Sequence, residues 1–232
     1  MPWVNEHSSP SELRLDNAWD ALNMILDRRV PLAVQMRLTA CVHDALCHAT
    51  LLRELERNEI DRANALHVAR EEWAAGDPRK GPPPHWDSHY SFQFAAALKA
   101  TFYFIRSLHD AVYSALLDGT GGNSGRYSSM HDCARNARNP LHPHIEKALP
   151  GYFEWFAGFR NLRNEMKVGV STSFHFRGLG ASTKVAAVLP VIDSVKREVS
   201  GGREVSLLDV DRAFDESSRL LEWSAAYLAS TA

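Results

Sequence analysis

Cysteine is scarce in this chain, with 3 in 232 residues, at positions 41, 47 and 133. An odd number without paired spacing excludes a disulfide framework and points to reduced, buried thiols. Long apolar runs are missing too: no stretch approaches the ~20 residues of a membrane-crossing helix, so no membrane partner is expected. Charge of one sign is also lacking. With 26 Lys and Arg against 28 Asp and Glu, the formal net charge is −2. Affinity for a polyanion would therefore have to come from a local patch. Met1 to Pro10 is polar and has no basic-then-apolar leader pattern, which makes a cytoplasmic protein the expectation. There is no Walker-type loop, no Gly-x-Ser-x-Gly elbow and no glycine loop between a strand and a helix, so no cofactor is expected. No repeat recurs at a fixed period, which excludes a solenoid.

The residues present have the balance of a folded globule, with 45% hydrophobic and 23% charged. Ser9-Pro10-Ser11-Glu12 reads as a capped helix start, followed by Leu15, Trp19, Leu22 and Leu26 at helical spacing. Pro31 opens a second helix with the stripe Val34, Leu38, Val42, Ala45, Ala49, Leu52 and Leu55. A third, more polar helix is expected from about Asp61 to Trp73. Gly76 to Pro84 is a loop. Asp87 or Ser88 then caps the longest helix, whose stripe runs Phe94, Leu98, Phe102, Ile105, Leu108, Val112 and Leu116.

Residues 119–150 are expected to form a flexible loop, because Gly119, Gly121, Gly122 and Gly125 open it. A helix resumes near Gly151, carries Tyr152, Phe153, Trp155, Phe156, Phe159, Leu162 and Met166, and ends at Gly169. Residues 170–205 read as a short β-hairpin insert of two or three strands, with Gly201-Gly202 as a turn. Ser206-Leu207-Leu208-Asp209 resembles a capping box and opens a last helix with Leu207, Val210, Phe214, Leu221 and Leu228 inward. The expected architecture is mainly α: one domain over 1–232, a helical bundle with a small antiparallel β appendage before the C-terminal helix. Trp19, Trp73, Trp155 and Trp223 fall at apolar helical positions and are expected in the core.

The run from Phe159 to Gly169 carries the most chemistry. Arg160, Arg163 and Lys167 fall at i, i+3 and i+7 and share one helical face. Asn161 and Asn164 flank it. Such a basic edge suits phosphate or RNA; the same pattern also fits a solvated face with its arginines paired to Glu154 or Glu165. Leu162-Arg163-Asn164-Glu165-Met166-Lys167-Val168-Gly169 resembles the signature of HEPN domains, helical bundles related to prokaryotic toxins and nucleotide-binding partners. Their typical string is Arg, a polar residue often Asn, a few more residues, then His. Tyr152 to Phe156 and the helix from Phe92 to Leu108 are similar to the aromatic helices of some HEPN-like families.

The resemblance implies a bundle that pairs with a second copy, with Arg160 and Arg163 lining a shared groove, in a defence, stress or toxin–antitoxin setting. It also implies RNA or a cognate protein as partner. In the nucleases of that family the Arg binds and polarises the scissile phosphate while the His handles protons without metal. Arg163 and Asn164 occupy those first positions, but Val168 stands where the His belongs and carries no proton. The expected function is therefore a non-catalytic or weakly active RNA-binding or interaction module.

An alternative is a metal-independent endoribonuclease in which Arg163 borrows a histidine from the 131–144 segment. Arg135 with His142, and Arg138 with His144, match the motif's spacing, although Pro140 and Pro143 prevent the regular helix that would present it. A second alternative is a metal-dependent bundle enzyme of the DinB-like type. It starts from Cys41-Val42-His43-Asp44-Ala45-Leu46-Cys47-His48, where His43 with Cys47 and Asp44 with His48 are i, i+4 pairs. His109 and Asp110 would add ligands. The tight helical zinc motifs are absent, and no metal ligand is assigned.

Overall fold

The computed structural model describes residues 8–26, 29–76, 84, 89–121, 129–167, 173–177, 184–192 and 199–231. Helix α1, Pro10–Leu26, begins where expected. The Ser9 hydroxyl accepts from the Glu12 amide at 3.3 Å, and Glu12 accepts from the Ser9 amide at 3.2 Å. The other Glu12 carboxylate oxygen reaches Arg53, whose guanidinium also holds Asp211. One ion cluster thus ties the first, second and last helices together at a single end of the bundle.

Helix α2, Leu32–Ala75, is continuous over 44 residues, correcting the expectation of two helices split near residue 58. The apolar stripe stays in phase through the polar stretch because Leu55 and Ala63 are buried. Between them, buried Glu59 is neutralised by Arg62 at 3.1 Å. Helix α3, His89–Gly119, runs along α2 and buries Phe94, Leu98, Phe102, Ile105, Leu108, Val112 and Leu116, the whole expected stripe. Gly119 ends it against the last helix: a Cβ there would meet the Leu228 side chain at 2.7 Å.

The expected loop over 119–150 is partly helical. Helix α4, Met130–Arg135, is capped by Ser129, and helix α5, His142–Ala148, has proline in its first turn. Met130, Cys133, Leu141 and Ile145 are all buried, so apolar anchoring overrides the glycine-rich lead-in. Pro143 does not oppose α5, since a first-turn proline loses no helical hydrogen bond. Gly151, at φ +78°, turns the chain into α6, Tyr152–Lys167.

Strands β1 (Ser173–Arg177), β2 (Lys184–Ile192) and β3 (Val199–Val205) form an antiparallel sheet in the order β1-β2-β3. Gly201 and Gly202 lie within β3, opposite Val191 and Pro190, and do not form the expected turn. Pro190 brings a residue without an amide donor into the central strand, and the register shifts between Val191 and Ile192. Side-chain-free glycines accommodate that irregular stretch. Val185 and Val205 are buried and join the helical core. Helix α7, Leu207–Ser230, opens with the full Ser206/Asp209 capping box and packs along α1 and α3. The molecule is a mainly helical bundle with a small antiparallel sheet before its C-terminal helix.

Candidate functional site

At the centre of the bundle His109 of α3 is fully buried. Its Nδ1 lies 2.5 Å from the Tyr152 hydroxyl and its Nε2 2.8 Å from Ser217 Oγ. Ser217 itself donates to the Ala213 carbonyl at 2.7 Å, so its oxygen is left to accept from Nε2–H. Nδ1 then accepts from Tyr152, and every polar atom is satisfied with the ring neutral. Burial, aided by the Arg106 charge, pushes the His109 pKa from 6.5 down to about 3. Tyr152, Trp155, Phe156 and Phe159 surround the ring at centroid distances of 5.4 to 6.2 Å. This is a core network joining α3, α6 and α7. It also removes His109 from any metal site with His43.

His43 sits on the α2 surface between Asp44 (Nδ1–Oδ1 3.2 Å) and Cys47 (Nε2–Sγ 3.3 Å). Among the described residues no three His, Cys, Asp or Glu side chains group to hold a metal ion. Cys41 and Cys133 are buried and Cys47 is exposed, so the expectation of buried thiols fails at Cys47. Of the four tryptophans expected in the core, Trp19 is fully buried, while Trp73, Trp155 and Trp223 are half-buried.

Helix α6 presents Arg163 toward α3 and Arg160 toward α4. Arg163 lies over the Tyr103 ring at 5.4 Å and donates to Asn164 Oδ1 at 3.3 Å, so two motif residues are joined directly. Neither Glu154 nor Glu165 neutralises it: Glu165 faces Arg203 of β3 at 3.6 Å. Arg160 forms no ion pair among the described residues. The side chain of Lys167, and all of Val168 and Gly169, lie outside the described residues.

The segment 131–144 does bring a histidine to this edge, though neither of the two expected. His142 donates from Nδ1 to the Cys133 carbonyl at 2.8 Å and stacks on Phe153 at 4.6 Å. That contact is ten residues from Arg163 on α6, or about 15 Å along the axis. His144 packs against Tyr227 of α7 at 5.2 Å. Both are fixed packing residues. His131, in the first turn of α4, instead feels the positive charges of Arg160, Arg135 and Arg106. With partial burial as the leading cause, they lower its pKa below 6.5, while Asp132 opposes them.

Asp110 of α3 accepts from the Met130 amide at 2.9 Å and pairs with Arg106, pinning the start of α4 beside α6. Arg106 in turn lies over the Phe156 ring at 4.9 Å. The result is a cationic edge made by Arg160 and Arg163 of α6 with Arg135 of α4, and His131 lies within reach of the Arg160 and Arg135 charges. Sequence reasoning missed His131. The signal available was Ser129-Met130-His131-Asp132, a capping spacing that marks a helix start inside the presumed loop.

No family model matches the chain, and neither does any curated protein or solved structure. The site therefore stands on its own geometry. No described helix is long and apolar enough to cross a membrane.

Proposed function

We propose that this chain is a HEPN-like RNA-binding module that holds the phosphate backbone along the α6–α4 edge. The observation that supports it most is the placement of Arg160 and Arg163 on one face of α6, with no carboxylate partner for either among the described residues, near His131 and Arg135 of α4. Guanidinium groups that no described carboxylate neutralises offer charge-assisted hydrogen bonds to phosphate oxygens. Tyr103, half exposed beside Arg163, adds a ring face for base stacking. The HEPN resemblance implies that two copies pair with both α6 edges lining one groove, and the proposal includes a homodimer of that kind. A cognate protein on the same edge is the competing occupant.

A second reading is favoured by one observation: a histidine with a lowered pKa stands beside a motif-helix arginine. Neutral at pH 7, His131 is suited to accept a proton from a ribose 2′-hydroxyl while Arg160 and Arg163 hold the phosphate. Metal-independent endoribonuclease activity would follow. Titrating a labelled single-stranded RNA at several salt concentrations tests both readings. Binding by phosphate contacts gives log affinity falling linearly with log salt, by roughly 0.7 per contact. Intact RNA after incubation in EDTA leaves the binding module. Cleavage in EDTA that His131→Ala abolishes establishes the nuclease. RNA that stays unbound at low salt overturns both.

A further inference from the structure

The outward face of α2 carries a short apolar stripe. Leu32, Met36, Ala40, Cys47 and Leu51 recur at helical spacing and are all exposed. His43 stands in the middle of the stripe, half-buried. A shallow cavity of about 340 Å³ lies beside it, lined by Met36, Thr39, Ala40, His43 and Asp44. Past Leu51 the face turns polar at Glu54 and Arg57, both exposed.

The His43–Cys47 pair has the geometry of half a metal site. Nε2 and Sγ are 3.3 Å apart. Zinc bonds to a His nitrogen and a Cys sulfur, about 2.0–2.1 and 2.3 Å long at a tetrahedral angle, hold those two atoms about 3.5 Å apart. The other ring nitrogen, Nδ1, donates to Asp44 Oδ1 at 3.2 Å, the carboxylate–histidine arrangement that orients metal-ligating imidazoles. Nε2 is then the acceptor of the Cys47 S–H, a proton the thiol keeps because partial burial, with Asp44 adding to it, raises its pKa. Among the described residues of one chain, no third His, Cys, Asp or Glu completes a metal-binding set with this pair.

We propose that His43 and Cys47 of two copies bind one zinc ion between them, in a site of two cysteines and two histidines that joins the chains through α2. The ion displaces both thiol protons to solvent, and the two thiolates formed balance its charge. An antiparallel pairing about a two-fold axis between residues 43 and 47 brings the two half-sites together. It also sets residue 51 of each copy opposite residue 39 of the other, so that Leu51 enters the cavity beside Ala40. The stripe falls well short of the roughly 20 residues a side of a stable interface, so the metal and not apolar burial holds the pair. The site shares no residue with the α6–α4 edge and does not rest on the RNA-binding reading.

Cobalt and zinc titrations of the full, metal-stripped chain in a phosphine reductant test it. Cobalt(II) should give the visible bands of a tetrahedral ion and a thiolate-to-cobalt charge-transfer band, both saturating at about one ion per two chains. Zinc should displace the cobalt and at least double the light-scattering mass over that of the metal-free protein. Cys47→Ser and His43→Ala change no core side chain; each should abolish the mass increase, and the first should remove the charge-transfer band as well. Asp44→Asn should keep that band and weaken zinc binding by about tenfold. Arg160→Ala/Arg163→Ala should bind zinc as the wild type does. The proposal is overturned if cobalt shows no thiolate band, if saturation comes at one ion per chain, if zinc leaves the mass unchanged, or if Cys47→Ser and His43→Ala bind and associate as the wild type does.

Discussion

His109 shows how one residue can look functional in a sequence and be structural in the fold. A histidine followed by aspartate on an aromatic helix reads as a ligand pair. Nothing local reveals that Tyr152, 43 residues on, and Ser217, 108 residues on, will satisfy both ring nitrogens. Its energetic consequence is a pH dependence. The folded pKa of about 3 lies below the unfolded value of 6.5, so this group's stabilising contribution is full above pH 6.5. It is lost as the pH falls toward 3, because only the unfolded state takes up the proton in that window. Between pH 7.5 and pH 5 the loss is about 2 kcal/mol. Urea titrations at the two pH values should show that difference in the wild type, and His109→Gln should flatten it. An equal pH slope in the variant would assign the acid sensitivity to other groups.

At the scale of elements, apolar periodicity made most helices legible. The α3 stripe from Phe94 to Leu116, the Ser9 cap and the Ser206/Asp209 box all act in the structure as their spacing implies. Three features were hidden for separate reasons. The polar stretch after Leu55 masked the continuity of α2, because a buried glutamate paired with Arg62 one turn on reads locally as part of a solvated face. Glycines before α4 outweighed the apolar anchors Met130 and Cys133 in a local reading. Gly201-Gly202, a turn signal by composition, lies in β3 opposite Val191 and Pro190, a pairing across the sheet that a local reading does not contain. The continuity of α2 is testable at Asn58, an exposed position near the expected break. Asn58→Pro should cost about 3 kcal/mol, the cost of proline inside a helix, read from the shift in denaturation midpoint. A chain with two separate helices would tolerate it.

At the scale of the molecule, the bundle brings α4 beside α6 through Asp110 and Met130, contacts 20 residues apart that no motif encodes. Arg160, Arg163 and Asn164 were legible because one helix carries them all; His131 was not, because its neighbours come from other elements. Homodimerisation predicts a light-scattering mass of twice the 26.0 kDa chain at micromolar concentration. A monomer mass there would remove the shared groove while leaving each α6 edge intact.

The central claim is that the α6–α4 edge holds RNA by its phosphates. Fluorescence anisotropy of a labelled single-stranded RNA with the wild type and with Arg160→Ala/Arg163→Ala tests it most directly. We predict salt-dependent wild-type binding. In the double variant, affinity should fall about tenfold or more, and the salt slope should drop by about 1.4 as two phosphate contacts are lost. Equal affinity and equal slope in the two proteins would contradict the account.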